Sequence, residues 1–110
     1  MSYTPIILAT GFEPFGGKTL NPSWEGVILL PDEINGCTII KRELPVEWFT
    51  SARLLEEYIR EFRPRAVIAV GQAFPDPPIM IERVGLNLCS GVDNTGKVEM
   101  HEEPIAYGAP

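Results

Sequence analysis

Cys89 and His101 are the only plausible nucleophile and base in these 110 residues, since His101 is the sole histidine. Thiolate catalysis needs a cysteine activated by a neighbouring histidine or a helix N-terminus. Cys89 closes an apolar run, whereas His101 sits in a polar tail. The residues therefore favour an inert, half-buried thiol and a solvated histidine over a catalytic pair. Cys37, Cys89 and His101 have no short spacing between them, so they make no zinc site.

Glu82 lies inside the apolar stretch IMIERVGLNL. A carboxylate there is paired, solvated at a strand end, or catalytic with a shifted pKa. Arg83 beside it points to the opposite face of a strand and is not the obvious partner. The stretch TGFEPFGG, residues 10–17, poses a different question. A turn uses its glycines and its proline but has no need of Phe12 and Phe15. The glycine spacing fits neither of the common phosphate-binding loops, and Glu13 would repel a phosphate. Two readings remain for the rings. They plug the core beneath the turn, or they wall an apolar pocket for a flat, uncharged ring.

The elements that must position these residues follow from the apolar runs. Residues 5–10 (PIILAT) read as a strand buried on both faces. Asn21 caps a helix with Pro22 at its first position, and Trp24, Val27 and Ile28 share one face until Leu30-Pro31 stops it. Residues 37–44 read as a second strand, ended by Pro45. Trp48, Ala52, Leu55, Ile59 and Phe62 form a helical stripe, with Glu56, Glu57, Arg60 and Glu61 largely opposite. Pro64 terminates that helix. Residues 65–71 read as a third strand, a proline loop (AFPDPP) follows, and residues 79–88 read as a fourth strand. The tail from Cys89 onward shows no evident strand or helix. The order β-α-β-α-β-β predicts an α/β fold with a mainly parallel sheet. Loops after the strands, including TGFEPFGG and GQAFPDPP, belong on the carboxyl edge, where such sheets bind ligands.

Hydrophobic content of 45% and charged content of 22% describe a globular chain, while eleven prolines and ten glycines predict many loops. A net charge of −6 disfavours sequence-independent nucleic-acid binding. No window reaches a membrane span. The N-terminus lacks a basic region and a small-residue cleavage site, and with two cysteines this predicts a reduced, cytoplasmic protein.

TGFEPFGG followed by NPSWE, then LPVEW, AVIAVGQA, IERVGLNL and the DN of GVDNTG, resembles the N-terminal half of the pyroglutamyl-peptidase I family, also called pyrrolidone carboxyl peptidase. The match runs in order through nearly all of the chain. The resemblance implies a cytosolic cysteine peptidase that removes N-terminal pyroglutamyl residues from peptides. It implies a three-layer α/β/α sandwich, no metal or cofactor, and a tetramer for the full-length member. It implies that Phe12 and Phe15 pack on the pyrrolidone ring, that Gln72 lines the same site, and that Glu82 and Asp93 are the active-site acids. The stretch LCSGVDN departs from the family pattern: it is shorter by two residues and lacks an arginine before the D-N pair.

The resemblance also implies that the family's nucleophilic cysteine and histidine belong to a second half, matched by neither cysteine nor by His101. The expectation is one partial domain, residues 1–110, with pocket walls and acids but no turnover alone. The alternative is a non-catalytic α/β module that binds pyroglutamyl peptides. Half of such a sheet should leave an edge and an apolar face uncovered, with a poorly packed tail from about Cys89.

Overall fold

The computed structural model describes residues 4–73, 78–96 and 99–110. The proline loop expected after the third strand lies largely outside them. The apolar run at the N-terminus forms β1 (Ile6–Phe12), the centre of a four-stranded sheet. Leu8, Ala9 and Thr10 are all but inaccessible, as a strand covered on both faces requires. β1 is followed by α1 (Pro22–Val27), β2 (Glu33–Ile34), β3 (Cys37–Leu44), α2 (Thr50–Phe62) and β4 (Ala66–Ala69). The sheet order is β2-β3-β1-β4. β1 runs parallel to β3 and β4, and β2 is antiparallel to β3. This is a mixed α/β fold with a mainly parallel sheet.

Alternation along the strands shows where the helices lie. Odd-numbered Ile7, Ala9, Cys37 and Ile39 pack with Trp24, Val27 and Leu30 on the α1 side. Even-numbered Arg42 instead lies over the α2 rings, 5.5 Å from the Tyr58 centroid and 4.8 Å from that of Phe62. The two helices therefore cover opposite faces.

Local chemistry sets each boundary. Asn21 caps α1, its side chain accepting the Ser23 amide, and Pro22 takes the first turn. α1 is shorter than its apolar stripe. Its end tightens into i→i+3 bonds from Leu29 and Leu30, which leaves Ile28 exposed rather than on the packed face. Arg63 closes α2 in the left-handed region, and Pro64 prevents continuation. β2 was not expected. It arises because Asn35 and Gly36 both take positive φ, the geometry of a two-residue hairpin turn.

Two expectations are corrected. Residues 79–88 form no strand. A ladder needs a partner edge, and no described strand pairs with this stretch, so Ile79, Ile81, Val84 and Leu86 stand exposed. The tail, expected to be irregular, forms an antiparallel hairpin of β5 (Cys89–Val92) and β6 (Glu99–Glu103). Cys89 and, just after β5, Asp93 are buried, while Ser90, Gly91 and Val92 are exposed, so the tail is thinly packed as expected.

An uncovered, partly apolar edge is present as expected, at β4, the last strand of the sheet. Every residue of β4 is exposed, including Val67 and Ile68, although β4 alternates between both faces of the sheet. The radius of gyration is 15.1 Å, against about 13 Å for a compact domain of this length.

Candidate functional site

The carboxyl ends of β1 and β3 carry the site. β1 delivers Phe12 at its last position, and the chain then turns through Pro14 to Gly16 and Gly17, both at positive φ. Gly11 is dictated by a close approach: a Cβ there would lie 2.6 Å from the Trp24 Cα. Glycine thus lets the start of α1 rest against the end of β1. Asn21 and Ser23, both buried, lock this corner. Asn21 Oδ1 accepts from the Ser23 amide at 3.0 Å and from its hydroxyl at 2.7 Å. Ser23 Oγ accepts the Phe12 amide at 2.9 Å, and Asn21 Nδ2 donates to the Glu13 carbonyl at 2.9 Å.

Phe12, Phe15 and Gln72 line one open cleft of about 300 Å³, together with Asn21, Val46, Gly71 and Val92. Three of the five expected site residues are thus brought together, and the phenylalanines face a cleft instead of plugging the core. An adjoining cleft of about 240 Å³ shares Phe12, Val46 and Val92 and adds Glu47, Trp48, Ser51 and Asp93.

Asp93 stands at the turn after β5. Its Oδ2 accepts the Trp48 amide at 3.0 Å, and its Oδ1 accepts the Thr95 amide at 3.0 Å and the Thr95 hydroxyl. The Thr95 hydroxyl holds the carboxyl below the usual aspartate value. Burial opposes this, and the amides of Trp48, Thr95 and Gly96 reinforce it. Glu82 is placed apart. It lies in the exposed, irregular stretch before β5 and lines neither cleft.

Cys89 and His101 come onto neighbouring strands, with His101 paired to Ser90. Cys89 is only 2% exposed. A thiol at that depth is not presented to a peptide in solution.

Sequence reasoning gave no site role to Asn94 or Glu13. Glu13 Oε1 accepts the Val46 amide at 2.9 Å and Asn94 Nδ2 at 3.0 Å. These partners lie 33 and 81 residues away along the chain. The only signal available was an acid where a turn has no need of one.

A mainly parallel sheet with helices on both faces and an aromatic cleft at its carboxyl edge defines an α/β domain, and such edges are where open α/β sheets bind ligands. Residues 6–110 match the family model described as pyroglutamyl peptidase, and the chain belongs to that family. It is 49% identical over 106 residues to a pyrrolidone-carboxylate peptidase of Thermococcus onnurineus, covering 94% of this chain and 52% of that protein. It is 48% identical to one from Lactobacillus acidophilus, with 94% and 52% covered. The pyroglutamyl peptidase I structure from Bacillus amyloliquefaciens superposes with a TM-score of 0.89 at 38% identity, over 98% of this chain and 52% of that one. The pyrrolidone carboxyl peptidase of Thermus thermophilus gives 0.86 at 40% identity, over 94% and 54%. The chain spans about half the length of the relatives it matches. Among the described residues, no helix is long and apolar enough to cross a membrane.

Proposed function

We propose that residues 1–110 are the substrate-recognising, N-terminal portion of a single pyroglutamyl-peptidase domain, and that the cleft of Phe12, Phe15 and Gln72 receives the pyroglutamyl ring. The observation that carries this is the convergence of those three side chains on one cleft. A γ-lactam is flat and neutral, with one N–H donor and one carbonyl acceptor. Phenylalanine faces suit its ring. A glutamine side chain offers a donor and an acceptor in the complementary sense. A charged N-terminal glutamate would lose its hydration against the same walls without repayment.

The chemistry that fits is acyl transfer. A cysteine thiolate attacks the pyroglutamyl carbonyl carbon, the bond to the next residue's nitrogen breaks, and that amine leaves with a proton. Water then hydrolyses the thioester. The thiolate and its histidine come from outside these residues. Glu82 is assigned to orienting that histidine. Asp93 is assigned to holding the wall at Trp48, because Trp48 and Thr95 already occupy its two oxygens. The family resemblance supports reading the working protein as a cytoplasmic homo-oligomer, a tetramer in the full-length form, that acts on peptides without a cofactor.

The test is hydrolysis of a fluorogenic pyroglutamyl amide. The chain alone should give none. The chain mixed with, or joined to, the second half of the Thermococcus onnurineus relative should regain it. Turnover by the chain alone, lost in Cys89→Ala, would overturn this assignment. Lactam binding by the chain without any restorable turnover would instead favour a non-catalytic binding module.

A further inference from the structure

Glu13 sits between the two cleft phenylalanines, yet its side chain turns away to reach two other segments. One carboxylate oxygen, Oε1, accepts from the Val46 amide at 2.9 Å and from Asn94 Nδ2 at 3.0 Å. Asn94 Nδ2 also donates to the Pro14 carbonyl at 2.8 Å, and the Asn94 amide donates to the Val46 carbonyl at 2.8 Å. The Glu13 backbone is gripped as well. Its N–H donates to the Leu44 carbonyl at 3.0 Å, and its carbonyl accepts from Asn21 at 2.9 Å. Three segments far apart in the chain are thereby tied at one point: the Phe12–Phe15 loop, the end of β3 through Val46, and the turn after β5. The cleft walls Phe12, Phe15, Val46 and Val92 come from the same three segments.

We propose that Glu13 and Asn94 are positioning residues that set the width of the slot between the phenylalanines and the Val46 and Val92 walls, and thereby the affinity for a γ-lactam. The inference rests on the lactam assignment above. The arrangement needs an acceptor at position 13 that can take two donors, and a donor at position 94. A glutamine at 13 keeps the acceptor geometry, since an amide oxygen has two lone pairs. An alanine there leaves the Val46 amide and Asn94 without it. An aspartate at 94 loses the donor and sets one carboxylate against another.

The experiment titrates the full chain with pyroglutamide, a γ-lactam, following tryptophan fluorescence at low protein concentration. Thermal unfolding is recorded in parallel. Glu13→Ala and Asn94→Asp are expected to weaken binding about tenfold, equivalent to about 1.4 kcal/mol. Glu13→Gln should bind within about threefold of the parent, because both hydrogen bonds to position 13 are kept and only their charge assistance is lost. A purely structural role would lower the unfolding midpoint and leave the dissociation constant of the folded fraction unchanged, and that result overturns the proposal. So does Glu13→Gln binding as weakly as Glu13→Ala. Should the parent bind no lactam, the lactam assignment fails, and the latch is judged by amide exchange at Val46. Faster exchange in Glu13→Ala, but not in Glu13→Gln, sustains the latch; equal exchange in all three removes it.

Discussion

Asp93 accepts the backbone amide of Trp48 at 3.0 Å, and the Trp48 indole N–H returns to the neighbouring Gly91 carbonyl at 3.1 Å. These two bonds, both donated by Trp48, dock the β5–β6 hairpin onto the segment just before α2 across more than forty residues of chain. The Asp93 pKa is lowered in the folded state, chiefly by the Thr95 hydroxyl. As pH falls, the unfolded chain therefore takes up this proton first, near the ordinary aspartate value of about 4. The carboxylate's contribution is complete above that value and is lost as pH falls through the lower, folded one. Acid titration from neutrality should leave hairpin docking unchanged to about pH 4 and then release it. Tryptophan fluorescence reports this directly. Asp93→Asn should lack that acid step, and an identical acid profile in the two proteins would refute the assignment.

Asn21 does two jobs with one amide. Its oxygen caps α1 through Ser23, and its nitrogen holds the Glu13 carbonyl. Both it and Ser23 are buried, so an alanine at 21 removes the cap and strands buried partners. The expected cost of Asn21→Ala is about 2 kcal/mol or more. Asn21→Asp keeps the cap but not the donor, and should fall between. Urea denaturation monitored at Trp24 checks the ranking. Equal stability of all three would mean that this corner contributes nothing.

Gly11→Ala places a methyl 2.6 Å from the Trp24 Cα and 2.7 Å from its nitrogen. Both are backbone atoms, which cannot rotate away. The substitution should cost about 1–3 kcal/mol, the range for forced overpacking, and should displace α1 and with it the bond from Phe12 to Ser23. Denaturation together with the Trp24 emission maximum measures both effects. A fully stable Gly11→Ala protein would show that α1 does not sit against β1 this closely.

The exposed side chains before β5 make the opposite prediction. Ile81 is 92% exposed and Ile79 fully so. Ile81→Lys should change the stability of the 110-residue chain by no more than about 0.5 kcal/mol, while reducing self-association and binding of a hydrophobic dye. Sedimentation and dye fluorescence provide the readout. A marked loss of stability would reveal that Ile81 is packed.

What the sequence by itself determined was whatever short-range physics controls. The apolar run at 5–10 became β1 because a strand covered on both faces favours unbroken apolar residues, and the β-branched, partly alternating 37–44 became β3 beside it. Asn21-Pro22 began α1 and Pro64 ended α2 because cap and breaker act within a turn. Phe12 and Phe15 stood out because a turn has no use for two rings, and family resemblance extended that reading to Gln72. β2 was also legible, in the Asn35-Gly36 turn, but was passed over.

Only the tertiary structure decided the rest. Residues 79–88 have strand-like composition and no strand, because a ladder is a property of two segments and one segment cannot specify it. The polar tail became a docked hairpin because Asp93 and Asn94 meet Trp48, Val46 and Glu13 from distant parts of the chain. The partners of Glu13 were not legible because hydrogen bonds act over a few ångströms of space, and that proximity is created only when the chain folds.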